Sequence, residues 1–283
     1  MRTKVGGLAI DDGKAVKIAN ILLSLHTEKH SLVSMPEYQL PRNLHPGSRE
    51  HANYLTYIIS IDYMTDAEKL WRNARGAYEL YPEKFTPEKI LKASEDGLRI
   101  FLRRLGARYS SNAVNIWKKI SKLLLDRYGA DPRNITLQPS TISEIKWKLD
   151  AFPSLRGPKI ANFYIRVMGE TGLLKVKNLN ELDIPVDKQV TRFTTYTGVV
   201  EFLSSKFQGC ANDDPLRSVI QEAWREAARA LGIAPWKLDE PIWNIGSKLC
   251  TQRKCYQCPV ESLCDKTKGI TFKENMLIWE AQQ

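Results

Sequence analysis

Four cysteines within fifteen residues, Cys250, Cys255, Cys258 and Cys264 in CTQRKCYQCPVESLC, constrain this chain more than any other feature. The C-x4-C-x2-C-x5-C spacing delivers four thiolates from one short loop, enough to wrap a compact inorganic centre. Structural zinc sites usually pair two short knuckles across a longer intervening element, and no such separation exists here. The spacing therefore favours a [4Fe–4S] cluster held by all four cysteines, with zinc as the rival. A disulfide scaffold is the weaker reading, because a chain of 283 residues with five cysteines can bury a core without covalent staples.

Charge narrows the partners. The balance of 42 Lys+Arg against 32 Asp+Glu leaves +10, which favours a polyanion, nucleic acid ahead of an anionic membrane. No apolar run approaches the roughly 18 residues of a membrane span. The opening MRTKVGGLAIDDGK lacks the apolar core of a leader. The expectation is an intracellular, reduced monomer with a nucleic-acid partner and without a membrane contact.

The apolar spacing is helical almost throughout. Residues 50–81 read as helix, with Gly76 as the candidate break and Pro82 as the end. Thr86 and Pro87 open the next helical stretch, which Gly97 interrupts. Further helices are expected over 110–128 (stopped by Gly129), 141–151, 158–168, 187–207 and 215–231. Only Leu173–Val176 hints at a strand. His26 and His30 stand at i,i+4, but no third ligand is evident nearby, so a solvated helix face is the better reading. Cys210, remote from the four-cysteine loop, reads as a lone thiol. The fold class is all-α.

A second segment carries chemistry. In AFPSLRGPKIANFYIRVMG, a helix ends near Phe152, a tight turn runs from Pro153 to Gly157, and a new helix opens at Pro158. Such a helix-hairpin-helix exposes backbone N–H groups suited to gripping phosphate without reading a base, and Arg156 can add a charge-assisted contact. Further on, IPVDKQVTRF places Asp187 at a helix start.

Three motifs in order, Gly157-x-Lys159-x-Ala161-Asn162, Val186-Asp187-x-x-Val190-x-Arg192 and the four-cysteine loop, resemble the endonuclease III family of the helix-hairpin-helix DNA glycosylase superfamily over about residues 50–265. The resemblance implies two helical domains flanking a DNA-binding cleft. One would be a barrel over 50–180 carrying the hairpin; the other would join 1–49 to 181–283 and carry the [4Fe–4S] loop. It implies Lys159 as the nucleophile at the sugar C1′ and Asp187 as its supporting carboxylate. It also implies duplex DNA with a damaged base as the partner, and glycosylase with abasic-site lyase activity as the function. Ser154, Leu155, Arg156 and Gly157 would hold phosphate in the hairpin, and Lys248, Arg253 and Lys254 would do so beside the cluster.

Three departures stand out. Leu155 occupies the family's first hairpin glycine, the Cys250–Cys255 gap is shortened, and Asp62 or Tyr63 falls where a wedging Gln is usual. A monofunctional glycosylase for alkylated or deaminated bases, with Lys159 structural, is one alternative. A non-catalytic iron–sulfur DNA-binding protein is the other.

Overall fold

The computed structural model describes residues 2–5 and 7–281. In chain order its first half contains β1 (Arg2–Val5), β2 (Leu8–Asp11), α1 (Asp12–Thr27), α2 (Arg49–Ile61), α3 (Ala67–Leu80), α4 (Pro87–Lys92), α5 (Glu95–Leu105) and α6 (Ser110–Tyr128). Its second half contains α7 (Ile142–Leu149), α8 (Pro158–Glu170), α9 (Lys188–Tyr196), β3 (Val200–Phe202), β4 (Lys206–Cys210), α10 (Leu216–Ala230), α11 (Asp239–Asn244), β5 (Ile270–Lys273) and β6 (Met276–Glu280). Helices form the frame, as the apolar spacing requires. No helix among the described residues is long and apolar enough to cross a membrane.

The chain divides into two compact units, one made of residues up to 35 together with residues from 180 on, the other Pro36–Leu179. The middle unit therefore begins earlier than the expected residue 50. The reason is a buried ion pair: Glu37 accepts from Arg166 Nη2 of α8 at 2.5 Å, with both side chains essentially inaccessible. Tyr38 adds hydrogen bonds to Arg166 and Glu170.

Within the middle unit, α2 is apolar or buried all round from His51 to Ile61, which makes it the central helix. Tyr54, Tyr57, Trp71, Tyr78, Phe85, Phe101 and Trp117 pack as one aromatic cluster, with linked ring centroids 4.8–6.3 Å apart. The expected 50–81 helix does break, but at Asp62–Asp66 rather than Gly76. Asp62 stops α2, and Asp66 restarts the helix by accepting from Lys69 N at 3.0 Å. Gly97 does not interrupt a helix either. The break comes at Ala93, Ser94 caps α5 by accepting from Gly97 N, and a Cβ at Gly97 would sit 2.9 Å from that hydroxyl. Leu173–Val176 contributes no strand, only a single bridge from Val176 to Ser140.

The other unit is helical around α1, α9, α10 and α11, with a core of Leu8, Ile18, Leu22, Phe193, Trp224 and Ile245. It also holds two small antiparallel sheets, β1-β2-β3 and β4-β6-β5, that helical spacing did not predict. The expected 187–207 helix ends at Tyr196, because Gly198 turns the chain at φ +73 and the β-branched and aromatic run that follows pairs as strand. Leu8 lies opposite Phe202 in one sheet, and Gly209 opposite Leu277 in the other.

Candidate active site

The hairpin begins with a capped helix. Thr141 and Glu144 form a reciprocal capping box at the start of α7, and Pro158 occupies the first turn of α8, where its missing N–H costs nothing. Phe152 and Leu155 are fully buried, and Phe152 packs on Tyr128 with centroids 5.6 Å apart. These two side chains anchor the turn to the core. The Leu155 side chain is thus a structural anchor, so any phosphate contact at this position falls to the backbone of the turn. Ser154 supplies the left-handed residue of the turn (φ +64), and Arg156 is exposed. Gly157 has an ordinary φ of −66, and a Cβ there would meet only Ile160 Cγ2 at 3.6 Å. Nothing inside the protein demands glycine at this position.

Lys159 follows in the first turn of α8, half-buried, with its Nζ 5.7 Å from the Phe163 ring centroid. Asp187 belongs to the other unit. Its Oδ1 accepts from the backbone N–H groups of Gln189 (2.8 Å) and Val190 (3.1 Å), and its Oδ2 accepts from Trp243 Nε1 at 3.1 Å. The carboxylate is therefore both N-cap and fixed group: helix α9 holds one oxygen and an indole from α11 holds the other. Gly246 makes this arrangement possible, since a Cβ there would lie 2.2 Å from the Gln189 carbonyl oxygen. Neither Trp243 nor Gly246 was picked out from the sequence. Both act through contacts with residues more than fifty positions away, and no spacing signals that.

The four cysteines are brought together. Cys250, Cys255, Cys258 and Cys264 line one pocket with Tyr196, Leu249, Arg253 and Lys266. Burial pushes the Cys250 thiol up to about 12, and the neighbouring Cys258, Cys264 and Cys255 push it the same way. Burial likewise raises Cys258 and Cys264. A backbone N–H from Lys266 reaches Cys264 Sγ at 3.4 Å. Among the described residues, no three His, Cys, Asp or Glu side chains form a group suited to a single metal ion. The loop is tied to α9, because Arg192 donates to Thr251 Oγ1 at 2.8 Å and lies over the Phe272 ring at 4.6 Å. On the loop's far side, Lys14 pairs with Asp265 at 2.5 Å over Gly198.

The remaining candidates separate. Arg253 is exposed yet its guanidinium lies over the Tyr196 ring at 5.2 Å, beside the cysteine pocket. Lys248 sits in the π-helical turn Ile245–Cys250, and Lys254 just before Cys255; both are half-buried. Asp62 is committed to structure, accepting from Trp71 Nε1 at 3.0 Å and from Thr65 Oγ1 at 3.1 Å. Tyr63 beside it is 60% exposed and free of that framework. His26 meets the Lys237 carbonyl and His30 caps the turn at Leu32, so the pair makes no metal site.

A family model described as "AGOG: N-glycosylase/DNA lyase" matches residues 158–273, from the start of α8 through the cysteine loop. No curated protein matches the chain. Among solved structures, a trapped endonuclease III–DNA covalent intermediate (the estranged-adenine complex) superposes with TM-score 0.57 at 16% identity, covering 89% of this chain and 96% of that one. A thermostable thymine-DNA glycosylase superposes with TM-score 0.56, also at 16% identity, covering 90% and 97%. The chain therefore shares its mainly helical fold with these two structures, and its residues 158–273 are similar to the N-glycosylase/DNA lyase family.

Proposed function

We propose that this protein is a DNA glycosylase of base excision repair with abasic-site lyase activity, using Lys159 as nucleophile and Asp187 as supporting carboxylate. The observation that carries the reading is the rigid hairpin: Phe152 and Leu155 lock the turn, and Lys159 stands two residues past Gly157 on the helix it opens. Breaking the glycosidic bond builds positive charge on the deoxyribose, which a prepositioned carboxylate stabilises. Asp187 is prepositioned by its three donors. An amine attacks C1′ as its free base, the base departs, and the C1′–N bond matures to a Schiff base. Loss of the C2′ proton then expels the 3′ phosphate and cuts the strand. The target nucleotide has to leave the stack first, at about a few kcal/mol, least for a damaged or mispaired base.

The four cysteines suit a [4Fe–4S] cluster, since they share one pocket and Cys264 receives a backbone N–H. Four protein thiolates leave such a cluster no open position, so its contribution is to hold the loop rather than to react.

Borohydride trapping on a duplex with one abasic site tests the reading. Wild-type protein should give a covalent DNA adduct and a nick, and Lys159→Ala should give neither. An adduct that persists in the variant removes Lys159 from the role. A wild type that releases bases without nicking reassigns the protein as monofunctional. A brown protein with broad visible absorbance supports iron, and a colourless one carrying zinc refutes it.

A further inference from the structure

The middle unit carries a polar cavity of about 420 Å³, with no part in the chemistry above. One wall is a single face of α3, where Arg72, Arg75, Gly76 and Glu79 recur at helical spacing; the other is the segment from Gln39 to Arg42. Three guanidinium-bearing residues and one carboxylate-bearing residue therefore surround one opening.

Their commitments differ. Arg75 is a fixed wall element, donating to the Gln39 carbonyl at 3.2 Å and to its Oε1 at 2.9 Å. Glu79 is occupied by the backbone, its Oε1 accepting from Arg42 N at 3.1 Å. The Arg42 and Arg72 guanidinium groups meet no carboxylate among the described residues, and both side chains are exposed at the rim. Gly76 leaves the floor open, for a Cβ there would have no neighbour within 4 Å. Gathering three guanidinium groups around a single carboxylate leaves an excess of positive charge, and an anion relieves it. A guanidinium fork also matches phosphate oxygens bidentately.

We infer that this cavity is a phosphate-binding site, taking a phosphoryl group on Arg42 and Arg72 against the fixed Arg75. The group can come from the backbone of DNA or from a free nucleotide, and the two are separable by experiment. The inference stands apart from the glycosylase reading, because neither Lys159 nor Asp187 enters it.

The test uses the full chain, with binding of inorganic phosphate and of dAMP followed by titration calorimetry at constant ionic strength. Arg72→Gln should weaken both at least about fivefold, whereas Arg72→Lys, keeping the charge, should stay within about threefold. Glu79→Gln retains an acceptor for Arg42 N and removes the one negative charge, so it should tighten phosphate about twofold or more, a gain no unfolding can mimic. Affinity for an undamaged duplex across a salt series then identifies the source. A slope shallower by about one unit in Arg72→Gln assigns the phosphate to DNA, and an unchanged slope with weakened dAMP assigns it to a free nucleotide. If phosphate and dAMP bind wild type and Arg72→Gln alike, with identical duplex slopes, no such site exists. Weaker phosphate binding by Glu79→Gln would equally overturn it.

Discussion

Replacing Gly246 by Ala probes how tightly the candidate catalytic carboxylate is positioned. The added methyl would lie 2.2 Å from the Gln189 carbonyl oxygen, 2.8 Å from its carbonyl carbon and 3.3 Å from its Cα. Ordinary contact requires retreat by roughly 1 Å. The obstacle is the backbone of the first turn of α9, so no flexible side chain can swing aside. Gln189 N is also one of the donors to Asp187 Oδ1, so moving that turn moves the carboxylate. Overpacking of this kind costs about 1–3 kcal/mol. A displacement of about 1 Å at a reacting group lowers rate by up to roughly 100-fold. Urea unfolding followed by tryptophan fluorescence measures the first, and single-turnover nicking of an abasic-site duplex measures the second. Gly76→Ala is the control for the substitution itself. With no neighbour within 4 Å and a mid-helix position, it should be neutral or gain about 0.5–1 kcal/mol. Wild-type stability and wild-type nicking in Gly246→Ala would refute the close approach and the reasoning built on it.

Trp243→Phe keeps the ring but removes the donor to Asp187 Oδ2, and hydrogen bonds to charged acceptors are worth about 1.5–3 kcal/mol. Nicking should fall roughly 10- to 100-fold while the α9 cap persists; an unchanged rate would show that the indole does not position the carboxylate. Gly157→Ala should leave urea stability within about 0.5 kcal/mol, given its ordinary φ and the 3.6 Å clearance, yet weaken duplex binding. A loss of stability above about 1 kcal/mol would mean that the glycine serves the fold instead. Burial depresses His51 to about 4, and its Nδ1 accepts from Gly47 N at 3.1 Å, so the folded protein keeps the imidazole neutral. The unfolded chain takes up that proton near pH 6.5 and the folded one only near 4, so stability is present above that window and falls as pH drops through it. His51→Gln should flatten this part of the urea-midpoint profile, and an identical profile in the variant would assign the slope to other groups.

Local chemistry was legible in the sequence, and distant pairing was not. The hairpin, Lys159 beyond it, the Asp187 cap and the cysteine pocket each lie within a short window, so spacing and capping rules reach them. The breaks at Asp62 and Ala93 escaped because glycine was read as the breaker, when Asp66 and Ser94 restart the helices by capping them. Strands β2 and β3 escaped for a different reason. Each is three or four residues long, and Leu8 finds its partner Phe202 across most of the chain. Trp243 and Gly246 were invisible for the same cause: their importance lies in what they touch on α9.

The interleaved build of the first unit has a consequence for biosynthesis. Helix α1 buries Ile18 and Leu22 in a core it shares with α10 and the π-helical turn, which follow only after the whole Pro36–Leu179 unit has been made. At about 5–20 residues per second, roughly 10–40 s separate the emergence of α1 from that of its packing partner. During that interval the leading helix offers a greasy stripe to chaperones, or to the later segment of a neighbouring nascent copy, the starting point for segment exchange. A message truncated after Leu179 would yield a polypeptide whose middle had its own core while its leading helix lacked a mate.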